Sequence, residues 1–515
     1  MMYSLNRTLQ TFNWRVIFNI IGHVLMIEGC LLLFPLIVDL IYSQHVWDAY
    51  LKTIVICLVI GFPLSRMKEK HKSYFAKDGF VAVGLSWAIL SFFGGLPFFF
   101  TQEIPSLVDC FFETVSGFTT TGSSILTDVE ALSQASLLWR SFTHWVGGMG
   151  VLVFILAIIP RSNDRTMHIM RAEAPGPVIG KLVPRLKDSA AILYKIYFVL
   201  TIIMILFLLA GGMPLFDSLC TAFGTAGTGG FSIKNVGMAY YNSVYLEMVV
   251  TFFMLLFGIN FNLFYFLLIK NVKAVWKNEE LRTYLIIVAF SILMIMCNIV
   301  HLYDNSWFEA FRYASFQVAS IISTTGFSST DFNLWPQFSK MVLLLLMIIG
   351  ACAGSTAGGI KVSRFLILLK KTKLDIQKLL HPQKVEAITM DQKIVDEQVV
   401  HQILSYFFCF MLILGSILLI VSLDDFDLET TLSACFTCIG NVGPGLGMAG
   451  PLSNFSMFSD LSKIVLSFAM LIGRFGNLSK SLYLSFLCLL QEKTKRHRDL
   501  KKALPKLVEF FYENK

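Results

Sequence analysis

A short glycine-bearing element occurs four times in this chain, each time between two long apolar segments. The copies are Thr119–Gly122, Thr228–Phe231, Thr324–Phe327 and Asn441–Pro444. Their aligned glycines are spaced at roughly a hundred residues, a period that indicates four copies of one structural unit. Glycine permits the backbone angles that turn successive carbonyls to one side, and converging carbonyls can replace the water around a dehydrated cation. The pattern predicts a single pore whose four walls come from one chain.

The predicted ligands for a monovalent cation are the backbone oxygens of the residues that precede each aligned glycine. Threonine hydroxyls can add ligands or brace the loops. Because the four loops differ in sequence, the site is expected to be only roughly fourfold. The candidate filter comprises Thr120, Thr121, Gly122, Thr228, Gly229, Gly230, Thr324, Thr325, Gly326, Asn441, Val442 and Gly443.

The composition indicates a membrane protein. Of the 515 residues, 55% are hydrophobic and only 15% are charged, whereas charged residues make up about 25% of soluble domains. Several apolar runs reach ~20 residues, enough to cross ~30 Å of hydrocarbon. The first run, residues 16–42, is too long for the core of a signal peptide and is predicted to be a retained span.

The distribution of basic residues predicts the topology. The net charge is +8, yet residues 101–136 and 422–462 contain no Lys or Arg, while residues 66–77, 161–195, 370–393 and 493–515 are rich in them. The positive-inside rule places the basic segments and both termini in the cytoplasm and the four glycine elements toward the outside. The basic tail is interpreted as a topology signal, and no nucleic-acid partner is expected.

The chain divides into an N-terminal helix pair and four pore repeats, which predicts an all-α integral membrane protein. Each repeat is expected to contain an outer helix, a short pore helix, a filter loop and an inner helix. The inner helices are predicted near residues 137–160, 244–270, 340–369 and 461–490. The predicted units are 1–70 (N-terminal pair), 71–165 (repeat 1), 166–280 (repeat 2), 281–395 (repeat 3, with a broken inner helix) and 396–515 (repeat 4 and a basic cytoplasmic tail).

The predicted pore helices span about 12 residues, too few to cross the membrane, so the chain must turn back inside it. Each is expected to begin near an acid that complements the positive end of the helix and leaves a carboxylate at the outer mouth of the pore. The four acids are Asp109, Asp217, Glu309 and Glu429.

The third inner helix contains the run Gly350–Gly359, which is too rich in glycine to form a stable helix in the membrane. A close helix-packing patch is the alternative interpretation. We favour a mobile intramembrane loop that acts as a gate, and Arg474, a charge in the fourth inner helix, could repel cations beside it; a salt bridge to a buried acid is the alternative for Arg474. The candidate gate comprises Gly350, Ala353, Gly354, Ser355, Thr356, Ala357, Gly358, Gly359 and Arg474.

Three other charges in or near the spans receive simpler interpretations. Arg140 and Arg312 lie near the outer ends of helices, where they are expected to brace the loops. Glu28, in the first span, is assigned no role in transport.

These residues resemble the Trk/Ktr/HKT superfamily of potassium transporters over nearly the whole chain. The extra N-terminal helix pair and the segment at 172–177 are similar to the Trk branch rather than to the shorter Ktr proteins. The motifs that carry the resemblance are WRSFTHWVGGMGVLVFILAIIP (139–160), AEAPGP (172–177), GGFS (229–232), GINFN (258–262), GACAGSTAGGIKVSR (350–364) and NVGPGL (441–446).

The resemblance implies that K+ is the transported ion and that the protein is a homodimer in the lipid of the bacterial inner membrane, with one pore per subunit. It also implies a cytosolic, nucleotide-binding regulatory ring of the TrkA type that acts on the gate. Two positions depart from the family. Arg474 is followed by Phe475, Gly476 and Asn477 instead of the usual Leu-Glu, and His144 stands where Gln is common, a change expected to matter little.

Two other functions are considered. A K+ symporter coupled to Na+ or H+ belongs to the same superfamily, although a proton-coupled carrier should have paired carboxylates in mid-membrane, and Glu28 is the one candidate. A membrane-embedded enzyme should have convergent His, Asp and Glu residues or a nucleophile within its spans. The sequence presents no such group, so no enzymatic activity is expected.

Overall fold

The computed structural model describes residues 13–67, 76–150, 186–381 and 386–474. Within these residues the regular structure is almost entirely helical, with one antiparallel pair of short strands, β1 (Thr389–Met390) and β2 (Lys393–Ile394). Six helical segments there are long and apolar enough to cross a membrane, or seven if one bent pair is counted as a span. The prediction of an all-α membrane protein is confirmed.

An N-terminal helix pair precedes the repeats. The first helix, α1 (Trp14–Leu31), is separated by one residue from α2 (Leu33–Tyr42). The next helix, α3 (Trp47–Ser65), packs against α1. The two helices approach closely at Gly22 and Gly61, where a methyl group on Gly61 would lie 3.0 Å from the Gly22 carbonyl oxygen. In lipid there is no hydrophobic driving force between helices, so their association depends on close packing. Small residues at the contact let the two backbones approach closely.

The same order of elements then occurs four times: a long outer helix, a short pore helix, a loop and an inner helix. The outer helices are α4 (Ala76–Phe100), α7 (Leu186–Ala210), α12 (Glu279–Ile299) and α16 (Glu397–Val421). The pore helices are α5 (Leu107–Phe118), α8 (Leu215–Gly227), α13 (Trp307–Ile322) and α17 (Leu428–Gly440). The inner helices begin as α6 (Gln134–Gly148), α9 (Val244–Phe257), α14 (Gln337–Ile349) and α18 (Asp460–Arg474). Further helices, α10 (Phe261–Leu268), α11 (Val272–Lys277) and α15 (Val362–Leu380), follow the second and third inner helices.

The pore helices have 12 to 16 residues, which corresponds to about 18–24 Å and is shorter than the ~30 Å hydrocarbon core. Ser106, Ser306 and Asp427 cap three of them by accepting a hydrogen bond from the backbone N–H three residues later. Each pore helix has its predicted acid in the first turn: Asp109, Asp217, Glu309 and Glu429.

Packing against neighbouring helices holds the first pore helix in place. Phe118, the last residue of α5, lies edge-on to Trp139 of α6 with the ring centroids 6.0 Å apart. The indole N–H of Trp139 donates to the Gly94 carbonyl oxygen of α4 at 2.8 Å. Both rings are fully buried, so the loop that follows Phe118 starts from a rigid position.

The second inner helix is also broken, although the sequence predicted one continuous helix over 244–270. The axes of α9 and α10 differ by 93°. The backbone groups freed at the bend find partners in the third repeat: the N–H of Cys352 donates to Gly258 O at 3.1 Å, and the N–H of Phe261 donates to Gly354 O at 3.0 Å. The Asn260 side chain caps the new helix at the N–H of Asn262. A break in mid-membrane is tolerated because neighbouring protein satisfies its backbone.

The other two inner helices are described only in part. α6 ends at Gly148 and the described part of α18 at Arg474. The remainders of the predicted helices, residues 151–160 and 475–490, lie outside the described residues, as does the basic tail.

Candidate functional site

The four loops of the candidate filter, called the filter loops below, share one backbone conformation. The residue two positions before each aligned glycine is left-handed, with φ of 56°, 57°, 55° and 54° at Thr120, Thr228, Thr324 and Asn441. The aligned glycines also have positive φ, a region that costs glycine little and other residues more. Their values are 85° at Gly122, 72° at Gly230, 87° at Gly326 and 109° at Gly443.

These loops close into one ring. Each aligned glycine lies against the next loop in chain order, and the glycine of the fourth loop lies against the first loop. A methyl group on any of these glycines would overlap a backbone carbonyl oxygen of the neighbouring loop, namely that of the residue before its aligned glycine. The pairs are Gly122 with Gly229, Gly230 with Thr325, Gly326 with Val442, and Gly443 with Thr121. The last of these contacts would be 2.9 Å. Four loops that are far apart in sequence thus place equivalent carbonyls around a common centre.

Threonine and asparagine side chains brace this ring from within the wall. The hydroxyls of Thr119 and Thr121 lie 2.8 Å apart, and those of Ser323 and Thr325 lie 2.7 Å apart. The Asn441 amide donates to the Thr121 hydroxyl at 2.9 Å and so joins the fourth loop to the first. These contacts support the bracing role that was predicted for the hydroxyls.

Two buried ion pairs lie behind the loops. Arg140 Nε donates to Glu113 at 2.8 Å, and its Nη1 donates to the carbonyl oxygen of Ser232, beyond the second filter loop. Arg312 makes two 2.7 Å hydrogen bonds to Glu247. Both pairs are almost fully buried, where the loss of one partner leaves an uncompensated charge. Arg140 thus contacts the chain after the second filter loop, in keeping with its predicted bracing role, whereas the partners of Arg312 lie on helices and its bracing of a loop stays a prediction.

The first-turn acids of the pore helices, predicted to leave carboxylates at the outer mouth, are all paired with other polar side chains. Asp109 forms an ion pair with Lys463 at 2.7 Å, and Glu429 forms one with Lys340 at 3.0 Å. Asp217 accepts a hydrogen bond from the Tyr241 hydroxyl, and Glu309 pairs with Arg312. Lys463 and Lys340 lie on inner helices and Tyr241 lies in a flanking segment, whereas Arg312 is on the same pore helix as Glu309.

The third inner helix is interrupted as predicted. α14 ends at Ile349 and α15 begins at Val362. The segment between them, 350–361, contains the predicted gate residues and is called the gate loop below. Gly350, Gly354 and Gly359 have φ of 70°, 74° and 74°, angles that favour glycine. The small residues also permit close contact, because a methyl group on Gly358 would overlap the carbonyl oxygen of Gly440 in the fourth pore helix.

The gate loop is bonded to itself and to its surroundings. The Ser355 hydroxyl donates to Cys352 O at 2.6 Å, and the Lys361 ammonium donates to Ala357 O. The backbone N–H of Gly358 donates to the Thr324 hydroxyl of the third filter loop at 2.6 Å. The loop therefore lies directly against the filter.

Arg474 joins the filter, the gate loop and the first inner helix. Its Nη1 donates to Thr356 O at 2.7 Å and to the Thr120 hydroxyl at 3.1 Å. Its Nη2 donates to Gly148 O at 2.8 Å and also to Gly147 O. These partners are uncharged oxygens, whereas the family pattern places an acid close to this arginine in sequence. The positive charge lies beside the filter and touches the gate loop.

Comparison with known proteins agrees with this architecture. The model of the TrkH family, described as a cation transport protein, matches residues 47–493. The chain belongs to the TrkH family. The Trk system potassium uptake protein TrkH of Salmonella typhimurium is 34% identical over 476 residues, which cover 90% of this chain and 96% of that protein. The Trk system potassium uptake protein TrkG of Escherichia coli K12 is 32% identical over 470 residues, with the same coverage of 90% and 96%.

A solved structure shares the fold of this TrkH-family chain. The crystal structure of the potassium transporter TrkH from Vibrio parahaemolyticus superposes with a TM-score of 0.82 at 30% sequence identity. The match covers 92% of this chain and 99% of the other.

Glu280 is a residue of this TrkH-family site that sequence reasoning did not single out. It lies in the first turn of α12, is almost fully buried, and accepts hydrogen bonds from the backbone N–H groups of Ala353 at 2.6 Å and Ser363 at 3.0 Å. One carboxylate oxygen thus joins the first part of the gate loop to the start of α15. The sequence signal was only a second acid beside Glu279, which is typical of the start of any helix.

Glu113 and Glu247 were also missed as partners of the bracing arginines. Glu113 lies one turn after Asp109 on the same pore helix, a spacing that places both acids on one face. The spacing could have indicated that Glu113 lies on the same face of the helix as Asp109. Glu247 is in a different repeat from Arg312, so no local pattern connects them.

Proposed function

We propose that this chain takes up K+ across the bacterial inner membrane through the ring formed by its four filter loops. The observation that carries the proposal is the closure of the ring, in which the carbonyls of Thr121, Gly229, Thr325 and Val442 occupy equivalent positions. Carbonyl rings of this kind replace the hydration shell of a monovalent cation. The relatives that are named potassium uptake proteins support K+ as the ion.

We further propose that the gate loop and Arg474 together close the pathway next to the filter. Three glycines with positive φ allow the loop to change its backbone without large strain, and Arg474 ties the loop to the filter through Thr356 and Thr120. A fixed positive charge at this place opposes the passage of cations.

The assembly we propose is a homodimer with one pore per subunit, both termini in the cytoplasm, and a TrkA-type nucleotide-binding ring on the cytoplasmic side. The family and the placement of the basic residues support this arrangement. Relatives described as parts of a "Trk system" are consistent with a separate regulatory component.

Uptake of radioactive Rb+ by proteoliposomes loaded with K+ tests the function. We expect uptake above that of protein-free vesicles, with competition from external K+ and little from Na+. Uptake that requires a Na+ or pH gradient would identify the coupled symporter instead. Rb+ uptake equal to that of protein-free vesicles would overturn the proposal.

Deletion of Ala353–Gly358 is expected to raise Rb+ flux and to reduce dependence on a regulatory partner. The deletion should be tolerated because the ends of the loop run side by side: the N–H groups of Ile360 and Lys361 donate to Ile348 O at 3.2 Å and Ile349 O at 2.9 Å. Initial uptake rates at equal protein content measure the effect. A variant that elutes as folded protein and conducts no faster than wild type would place the gate elsewhere.

Glu280→Ala is expected to open the gate loop more often, because it leaves two backbone donors in a buried site without their acceptor. Loss of a hydrogen bond to a charged group costs about 1.5–3 kcal/mol, so the flux should rise by roughly tenfold or more. Initial Rb+ uptake rates, normalised to folded protein, measure the change.

Two variants serve as controls for Glu280→Ala. Glu280→Gln keeps a carbonyl oxygen that can accept both hydrogen bonds and should remain near wild type. Glu279→Ala removes a neighbouring acid that pairs with Lys370, outside the gate loop. If Glu279→Ala raises the flux as much as Glu280→Ala does, general loosening of the α12 start explains the result and the loop contact does not.

A further inference from the structure

His144 lies in the wall between the first and second filter loops. It is fully buried on α6, and its Nδ1 is 2.9 Å from the carbonyl oxygen of Gly117 at the end of α5. On the other side of the imidazole, the backbone N–H of Phe231 donates to Nε2 of His144 at 3.3 Å. The imidazole therefore bridges the first pore helix and the residue that follows the second filter glycine.

These two contacts select one form of the imidazole. A carbonyl oxygen can only accept, so Nδ1 carries the hydrogen, and a backbone N–H can only donate, so Nε2 offers its lone pair. The ring is held as the neutral Nδ1–H tautomer, with both nitrogens engaged.

The imidazole also touches the filter itself. A methyl group on Gly229 would overlap the ring atoms of His144, and one on Gly227 would overlap the His144 carbonyl oxygen. The carbonyl of Gly229 is one of the four oxygens of the filter ring. His144 thus supports this oxygen from behind, at a distance that only glycine allows.

The second loop has the greatest need for such support. It has glycine at both Gly229 and Gly230, whereas the other loops place Thr121, Thr325 or Val442 before the aligned glycine. Thr121 and Thr325 are braced through their hydroxyls, and Gly229 has no side chain for this purpose. Two consecutive glycines leave the peptide free to rotate unless something outside the loop holds it.

We infer that His144 is a positioning residue for ion selectivity: its imidazole holds the second filter loop so that the Gly229 carbonyl stays directed into the ring. The inference rests on the proposed function, since it assigns a role within the same filter. It agrees with the expectation that exchanging Gln for His at this position matters little, because a Gln amide also offers one donor and one acceptor.

The test compares the ratio of Rb+ to Na+ uptake for wild type, His144→Gln and His144→Leu in proteoliposomes. The Gln amide offers a donor and an acceptor and should largely retain the ratio. Leu fills the space without polar atoms, and the ratio should fall by about tenfold, as expected for the loss of a buried hydrogen bond. His144→Asn, whose amide is too short to reach both Gly117 and Phe231, should behave like Leu and replaces it if Leu does not fold.

Trp145→Phe is the matched control. Trp145 is the next residue on α6, but its indole N–H donates to Thr201 of the second outer helix, away from the filter. This variant should keep the wild-type ratio. Retention of the ratio by both Leu and Asn, or an equal loss in Gln, would overturn the positioning role.

A second readout separates this inference from the transport function. K+ bound at the filter should raise the thermal unfolding temperature of the purified protein more than Na+ does, and His144→Leu should lose this difference while His144→Gln keeps it. A wild type that shows the difference but no Rb+ uptake would contradict the transport function and leave the role of His144 supported. Equal stabilisation by K+ and Na+ in wild type would overturn the role of His144.

Discussion

Gly326→Ser is expected to reduce the preference for Rb+ over Na+ by about tenfold, because it misdirects one of the carbonyls that replace the hydration shell of the ion. Its φ of 87° lies where a side chain is strained, and a Cβ would overlap the Val442 oxygen and lie 2.9 Å from Pro444 Cδ. The Val442 carbonyl must therefore turn away from its position in the ring. Uptake ratios in proteoliposomes, and growth of a K+-uptake-deficient bacterial strain at low K+, measure the effect.

Two further variants sharpen this prediction. Gly443→Ser should act similarly, since its Cβ would lie 2.9 Å from Thr121 O. Gly212→Ser is the control, because Gly212 also has a positive φ, 83°, but a Cβ there has nothing within 4 Å. It imposes the same kind of backbone strain away from the filter. Unchanged selectivity in both Gly326→Ser and Gly443→Ser would refute the filter assignment.

Arg474→Ala is expected to raise cation flux by tenfold or more, because a unit charge a few ångströms from the ion path costs on the order of a few kcal/mol at an effective dielectric constant of about 20. The substitution also removes the tether between Thr356 of the gate loop and Thr120 of the filter. Both effects favour an open pathway. Initial Rb+ uptake at matched levels of folded protein provides the measurement.

Arg474→Lys distinguishes the charge from the tether. Lysine lacks the forked guanidinium that reaches Thr356, Gly147 and Gly148 together, but it keeps the charge. If the charge sets the barrier, the flux of Arg474→Lys should stay close to wild type and well below that of Ala. Arg282→Ala removes the same charge from an exposed site on α12 and should have no effect. If Arg474→Ala does not exceed Arg474→Lys, the arginine is a structural charge and does not act as part of the gate.

Much of the pore could be predicted from local properties of the sequence. The pore helices are too short to span the membrane, and the chain that follows them carries glycine where a positive φ is needed, as at Gly122 and Gly326. The break at Gly350 could also be predicted from the sequence, because a segment so rich in glycine does not form a stable helix. These features depend on the residues of one segment and on the thickness of the bilayer.

The break after α9 was not predicted, because the residues that stabilise it are distant in sequence. Gly258 and Phe261 bond to Cys352 and Gly354 of the gate loop, about a hundred residues away. An apolar run with a single glycine is compatible with a straight helix until a neighbour offers partners for its backbone. Glu280 was not predicted for the same reason, since its partners Ala353 and Ser363 are distant in sequence. In the sequence it resembles any acid in the first turn of a helix.

The sequence by itself determined the class of the protein and the order of elements in the repeats, since apolar length and backbone preference act within each segment. It also indicated the residues of the candidate filter through their periodic recurrence. Only the tertiary structure decided which loop meets which, that the outer acids such as Asp109 are paired, and that Arg474 binds carbonyls of the gate loop and first inner helix. Hydrophobic patterns report which residues are buried, but not what lies opposite them. In this protein the ring of carbonyls and its contact with the interrupted third inner helix arise from those contacts between repeats.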